Sequence, residues 1–267
     1  MTVSSSAVKD LDLSAVRFLF TDVDDTLTTA GQLLPETYAA LWDLARSGVQ
    51  IVPITGGCAG WCDQIARTWP VAGVIGEGGA FYVRRDESHH LHWQYWRSLS
   101  EHQADQQAIL ASIQQLPVSY SLVLAKDQSF RHVDVAIDYN QDSELTIEQA
   151  DEVCALLRQQ GFDAKRSSIH INVWRGDFNK GAMARRMLQD VFQLDEPSMQ
   201  AQVLFIGDAP NDESMFAHFP LSVGVANIRP HLSSMWHHPA TITTAPSGLG
   251  VVELAQHWLA QRAGNLN

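Results

Sequence analysis

The chain has 267 residues, of which 45% are hydrophobic and 18% charged, enough for a core domain plus a smaller second domain. Its formal net charge of -12 argues against nucleic acid and anionic membranes as partners, because like charges repel. An odd count of three cysteines is typical of a reducing compartment, and no signal peptide or membrane-spanning run is recognisable. We therefore expect a cytoplasmic protein, either a monomer or a homodimer.

Strands and helices are predicted to alternate in the first part of the chain. Residues 16–20 form a nearly continuous apolar run that ends in Thr21-Asp22, as expected for a strand covered on both faces. A helix over 35–47, a strand over 49–54, a helix over 61–68 and a strand from 74 follow it. This order is typical of parallel crossover units.

The pattern changes in the middle of the chain. Alternating residues predict a hairpin over 80–84 and 91–96, and further strands over 132–139 and 168–174. Amphipathic helices are predicted over 100–116 and 146–160. We predict an α/β fold in which 1–82 and 177–267 form a parallel-sheet core. Residues 83–176 are predicted to form an inserted cap domain with an open antiparallel sheet and helices.

The crossover pattern returns after Asn179-Lys180. Helices are predicted over 180–192, 211–218 and 250–262, with strands over 203–206 and 222–225 between them. Four polar clusters then stand at strand ends or helix starts, where open parallel sheets bind ligands. They are Asp22-Val23-Asp24-Asp25-Thr26, Thr55-Gly56, Asn179-Lys180 and Gly207-Asp208-Ala209-Pro210-Asn211-Asp212.

Together these clusters contain the groups that phosphoryl transfer needs. A carboxylate such as Asp22 can attack phosphorus, and a second one such as Asp24 can protonate the leaving alcohol. Asp208 and Asp212 could complete a site for Mg²⁺, which neutralises the phosphate. Taken singly, each cluster is also typical of an ordinary turn or helix cap. Their joint occurrence at predicted strand ends favours a catalytic site.

The four clusters, in this order, resemble the four motifs of the haloacid dehalogenase (HAD) superfamily. Asp22-x-Asp24-x-Thr26 resembles the first motif, and Gly207-Asp208-x-x-Asn211-Asp212 resembles the fourth. An insertion between the second and third motifs is similar to the Cof-type branch, subfamily IIB. That branch includes sucrose-phosphatase, mannosyl-3-phosphoglycerate phosphatase and phosphomannomutase.

The resemblance implies a Rossmann-like core, Mg²⁺ as cofactor and a role for each motif residue. Asp22 would be the nucleophile, and Asp24 would be the general acid and base. The implied metal ligands are Asp22, Asp24 through its carbonyl, Asp208 and Asp212, the last as a direct ligand or a support. The implied phosphate-binding residues are Thr55, Gly56, Lys180 and Asn211.

The insertion is expected to act as a cap hinged near Val83 and Gly176. We predict that Asn172 and Arg175 contact the part of the substrate that is not phosphate. Gly57 stands where the second motif often has an arginine, and this departure leaves the identity of the substrate open. The expected function is a magnesium-dependent phosphatase acting on a small-molecule phosphate ester, a sugar phosphate above all. The alternatives are a phosphomutase and a non-catalytic binding protein.

Overall fold

The structure is a computed structural model that describes residues 8–167 and 169–264. Its strands are β1 (Phe18–Asp22), β2 (Thr28–Thr29), β3 (Gln32–Leu33), β4 (Gln50–Ile54), β5 (Val74–Gly76), β6 (Phe81–Arg85), β7 (Leu91–Tyr95), β8 (Val123–Leu124), β9 (Val135–Asp138), β10 (Asp163–Arg166), β11 (His170–Trp174), β12 (Val203–Gly207), β13 (Ser222–Gly224) and β14 (Thr241–Ile242). Its α-helices are α1 (Pro35–Arg46), α2 (Ala59–Thr68), α3 (Leu99–Ile113), α4 (Ile147–Gln159), α5 (Lys180–Phe192), α6 (Glu196–Gln202), α7 (Glu213–His218) and α8 (Ser247–Gly264).

The core is a mixed sheet with the strand order β14-β13-β12-β1-β4-β5-β6-β7, parallel from β14 to β5. Successive side chains of β1 point to opposite faces. Leu19 belongs to the apolar cluster that includes α1 and α8, whereas Phe18 and Phe20 belong to the cluster that includes α5 and α7. Because helices cover both faces, β1 is buried throughout, and the predicted α/β fold with a parallel-dominated sheet is confirmed.

The hairpin β6–β7 lies elsewhere than the sequence suggested. We predicted it within the inserted block, but β6 pairs antiparallel with β5 and so extends the core sheet. Phe81 and Val83 are fully buried in a cluster with α2, which explains why the hairpin packs on the core. We propose that the inserted domain begins after β7 rather than at residue 83.

The inserted domain has its own antiparallel sheet, with the order β10-β11-β9-β8. One face is apolar: Ile137, Ile171 and Val173 pack with residues of α3 and α4. The other face carries polar side chains, as the alternation along these strands predicts. The separate antiparallel sheet with helices confirms the predicted cap architecture.

Several local differences follow from short or polar elements. Strand β11 begins at His170, and Ser168, with which we began this strand, lies outside the described residues. The helix predicted over 211–218 is a short 3-10 turn, Pro210–Asp212, followed by α7. Strand β10 and helix α6 carry too little apolar periodicity to be predicted. Among the described helices, none is long and apolar enough to span a membrane.

Candidate active site

The carboxyl ends of the central strands bring the predicted motif residues together. Asp22 is the last residue of β1, Thr55 directly follows β4, and Asp208 directly follows β12. Lys180 opens α5, whose preceding residue Asn179 caps the helix by accepting the N–H of Ala182. Parallel pairing of β1 with β4 and β12 places these ends at one edge of the sheet.

Lys180 connects two of the carboxylates. Its Nζ donates to Asp22 Oδ1 at 2.5 Å and to Asp212 Oδ1 at 2.7 Å. The three side chains are buried, with exposed fractions of 4% for Lys180, 4% for Asp22 and 0% for Asp212. Buried charges of this kind are stabilised by being paired and hydrogen-bonded.

Carboxylate oxygens of Asp22, Asp208 and Asp212 lie within 4.8 Å of one another. Opposite ligands around Mg²⁺ are about 4.2 Å apart, twice a typical Mg–O distance of about 2.1 Å. Asp212 is held in place because its Oδ2 accepts the backbone N–H of Asp208 at 3.0 Å. The buried donors are all carboxylates, the hard oxygen ligands that Mg²⁺ prefers, so these residues fit the cofactor.

The clustered charges shift the ionisation of this site. Burial raises the pKa of Asp22 well above its ordinary value, opposed by Lys180 and reinforced by Asp212. Burial and the charge of Asp212 raise the pKa of Asp208 to about 7. Burial lowers the pKa of Lys180, but Asp212 and Asp22 outweigh it and the net shift is upward. The lysine therefore stays charged, and a cation would favour the ionised carboxylates.

Asp24 and Thr55 face each other beside this cluster. Thr55 Oγ1 donates to Asp24 Oδ2 at 3.4 Å and accepts the N–H of Gly57 at 2.8 Å. Asp24 keeps solvent-exposed surface, yet the protein packed around it raises the pKa of its carboxyl group by desolvation, with Lys180 opposing. A raised pKa suits a group that must give up a proton and take one back.

Asn227 is a site residue that we did not predict. Its Nδ2 donates to Asp208 Oδ2 and to the carbonyl of Asp25, both at 3.1 Å, and its Oδ1 accepts the N–H of Ser247 at 2.9 Å. It therefore fixes the orientation of the Asp208 carboxylate. Asn227 stands two residues beyond the strand predicted over 222–225, and this position at a strand end was the signal that could have identified it.

Two predicted phosphate-binding residues lie at the edge of the cluster. Asn211 is exposed in the turn Pro210–Asp212. Gly56 is half-buried, and a Cβ built on it would meet no atom within 4 Å. Its carbonyl accepts Nη1 of Arg131, a cap residue, at 3.1 Å.

The two cap residues that we predicted have different surroundings. Asn172 lies in the middle of β11, and its Nδ2 donates to Asp134 Oδ2 at 2.8 Å. Arg175 instead pairs with Asp105 on α3 at 3.1 Å, and its guanidinium lies 4.7 Å from the ring centre of Phe162. The structure places Asn172 on the polar face of the cap sheet, and it places Arg175 beside helix α3. The substrate role of both residues stays a prediction.

The polar face of the cap sheet reaches the core site through Lys165. The register of β10 and β11 pairs Lys165 with Asn172, so both side chains lie on one face. Lys165 Nζ approaches the carbonyl of Pro210 in the fourth motif at 3.4 Å. Lys165 keeps solvent-exposed surface, yet desolvation by the protein packed around its ammonium group, together with the nearby Lys180, lowers its pKa. His170 on the same face has a lowered pKa, mainly through burial. The sequence gave no signal for Lys165, whereas the alternation of His170 and Asn172 with apolar residues indicated that both could face the site.

Solved structures share this architecture across nearly the whole chain. A Thermoplasma acidophilum protein superimposes with a TM-score of 0.70 at 16% identity, over 91% of this chain and 98% of its own. The sucrose-phosphatase of Synechocystis, solved with sucrose and phosphate, gives a TM-score of 0.65 at 20% identity over the same shares. A HAD/COF-like hydrolase from Plasmodium vivax gives 0.67 at 16% identity, over 92% and 96%. A search of curated proteins gives no match.

The fold and the arrangement of the motif residues are those of HAD-like proteins with an inserted cap. More narrowly, the chain belongs to the sucrose-6F-phosphate phosphohydrolase family, whose family model matches residues 15–259. The resemblance noted in the sequence is thereby confirmed.

Proposed function

We propose that this protein is a magnesium-dependent phosphatase that hydrolyses a sugar phosphate through a phosphorylated Asp22. The observation that carries the proposal is the buried group formed by Lys180, Asp22, Asp208 and Asp212. A lysine bridges two carboxylates at 2.5 and 2.7 Å, and a third carboxylate completes a set of oxygens within 4.8 Å. A phosphate brought to this group would meet a nucleophile and a fixed positive charge together.

The chain's own residues supply the nucleophile and the group that transfers protons in the proposed reaction. Asp22 attacks phosphorus, the bond from phosphorus to the alcohol oxygen breaks, and Asp24 gives its proton to that oxygen. Asp24 then takes a proton from a water molecule, which attacks the same phosphorus and releases phosphate and the free Asp22 carboxylate. Lys180 and the Thr55 hydroxyl hold phosphate oxygens. Bound Mg²⁺ would neutralise the phosphate and fix its geometry.

The polar face of the cap sheet supports a sugar as the rest of the substrate. Lys165, His170 and Asn172 offer hydrogen-bonding groups on one face of the cap sheet, and Lys165 approaches the fourth motif. Such polar groups suit the hydroxyls of a sugar. The family description, and a structural neighbour solved with sucrose and phosphate, support this substrate class.

The test is phosphate release from a panel of sugar phosphates, with Mg²⁺ and with a chelator. We expect wild type to release phosphate only with the metal, and Asp22→Asn to be inactive because an amide is a poor nucleophile. Asp43→Asn changes an exposed aspartate and serves as the control. Substantial activity in Asp22→Asn would refute the mechanism. A product that keeps its phosphate on another hydroxyl would identify the phosphomutase instead.

A further inference from the structure

A short segment of the cap, residues 131–134, is embedded in the core domain, and we call it the docking segment. Val133 is 2% exposed and packs in a core cluster with Ala59, Cys62 and Phe81. The segment lies between the 3-10 turn Gln128–Phe130 and strand β9, far in sequence from both chain connections of the cap. It is therefore a third attachment of the cap to the core.

Glu77, directly after β5, binds the backbone of this segment. Its Oε1 accepts the N–H of Ala59 at 3.0 Å and of His132 at 2.9 Å. Its Oε2 accepts the N–H of Val133 at 2.7 Å and of Asp134 at 3.0 Å. One buried side chain thus joins the start of core helix α2 to three consecutive cap amides through four hydrogen bonds.

Arg131 connects the docking segment to the loop that follows β4. Its Nη1 donates to the carbonyl of Gly56 at 3.1 Å and to both carboxylate oxygens of Asp134, at 2.9 and 3.0 Å. Its Nε and Nη2 donate to Asp127. The side chain is 2% exposed, so the guanidinium is held on all sides. A planar group with fixed donors is suited to hold one backbone carbonyl in a defined place.

The same loop is also held from the core side. The N–H of Glu77 donates to the carbonyl of Gly57 at 3.2 Å, and the N–H of Gly78 donates to the carbonyl of Thr55 at 3.1 Å. Glu77 has a φ of 45°, a left-handed conformation that is strained for a residue with a side chain. Its strained backbone holds the loop while its side chain holds the cap.

We propose that Glu77 and Arg131 are positioning residues that fix the Thr55–Gly57 loop from the core and the cap together, so that phosphate binding depends on the docked cap. The inference rests on the proposed function, in which Thr55 holds a phosphate oxygen. Neither residue touches the reacting atoms. Both act through the loop backbone, which bears the Thr55 hydroxyl and the amides of Gly56 and Gly57.

The test compares Arg131→Met, Glu77→Gln and wild type in the full chain with Mg²⁺. Hydrogen exchange of the peptide containing residues 55–57 reports whether the loop is held, independently of activity. The dissociation constant of inorganic phosphate reports whether the held loop matters for binding. For both variants we expect exchange in the loop to accelerate at least tenfold and phosphate to bind at least tenfold more weakly, since the loop would open locally.

Arg166→Met is the matched control. Arg166 is a cap arginine bonded to Asp151 and Tyr139, so its loss removes cap interactions that do not involve the loop. We expect its loop exchange and phosphate affinity to stay within twofold of wild type, measured well below each melting temperature. If Arg131→Met does not fold, Arg131→Lys replaces it, because lysine keeps the charge near Asp134 but not the fork of donors.

Three results decide whether Glu77 and Arg131 are positioning residues. Unchanged loop exchange in the Arg131 and Glu77 variants overturns the proposal, whatever the activity. Faster exchange with unchanged phosphate affinity also overturns it, because the residues would then be structural only. Faster exchange with weaker phosphate binding supports it. A wild type that neither binds phosphate nor releases it from any substrate refutes the proposed function, and loop exchange still shows whether Glu77 and Arg131 hold the Thr55–Gly57 loop.

Discussion

Removing the charge of Lys180 is the sharpest perturbation of the active site. Lys180→Met keeps the length of the stem but leaves Asp22 and Asp212 buried without their shared cation. Breaking a buried ion pair by removing one partner typically costs about 3–5 kcal/mol. With roughly 2–4 °C of melting temperature per kcal/mol for a protein near this size, we expect melting to fall by roughly 6–20 °C.

Magnesium should reverse much of that loss. Lys180 shares its single charge between two carboxylates, and the nearby Asp208 completes the set of oxygens that could bind a divalent ion. Without the lysine, Asp22 and Asp212 lose the cation that is bonded to both, so the metal ion stabilises the variant more than wild type. Turnover should remain at least about 10²-fold below wild type even with the metal, because the variant lacks the positive charge of Lys180 that would contact the phosphate.

The assay is thermal unfolding with a series of Mg²⁺ concentrations, beside steady-state phosphate release. Lys126→Met is the control, since Lys126 pairs with Asp142 on the surface and is 80% exposed. Exposed pairs contribute about 0–1 kcal/mol, so its melting temperature and its response to Mg²⁺ should match wild type. An equal stabilisation of wild type and Lys180→Met by Mg²⁺ would contradict the view that lysine and metal neutralise the same carboxylates.

Two further predictions concern Asn227 and His102. Asn227→Ala removes the donor that orients Asp208, and half-saturating Mg²⁺ in an activity titration should rise about 10–100-fold; an unchanged value would deny it this role. His102 is buried, which lowers its pKa, and its Nε2 accepts the N–H of Arg97. Below about pH 6.5 the unfolded chain binds a proton at His102 that the native state does not. The free energy of unfolding therefore decreases as the pH is lowered, by up to about 1.4 kcal/mol per pH unit. Urea unfolding of His102→Gln should show a shallower fall, and equal slopes would exclude this histidine.

The core and its motif residues were predictable because their signals are local. The nearly continuous apolar run over 16–20 is typical of a strand covered on both faces, and its end places Asp22 at the sheet edge. Parallel strands share one carboxyl edge, so Asp22, Thr55 and Asp208 could be expected to meet there before any coordinates were known. Lys180 was predictable as a site residue because it stands at a predicted helix start, between the second and fourth motifs.

The cap and its contacts were less predictable because their signals are tertiary. Hairpin β6–β7 alternates like any half-buried pair, and only its packing against α2 shows that it extends the core sheet. Glu77 appears in the sequence as an acidic residue between glycines, typical of an exposed turn. Its four N–H donors come from positions 59 and 132–134, and no local sequence pattern links residues that lie so far apart in the chain.

The overall charge of -12 and the proposed anionic substrate are compatible because charge acts locally in this site. At physiological ionic strength, exposed charges are screened beyond about 8 Å, so remote surface carboxylates contribute little to a phosphate at Asp22. What such a phosphate meets is Lys180 in direct contact with Asp22, and Lys165 approaching from the cap at Pro210. The same reasoning makes cap docking important for affinity. Lys165 belongs to the cap, and its positive charge reaches the site only while the cap sheet lies against the fourth motif.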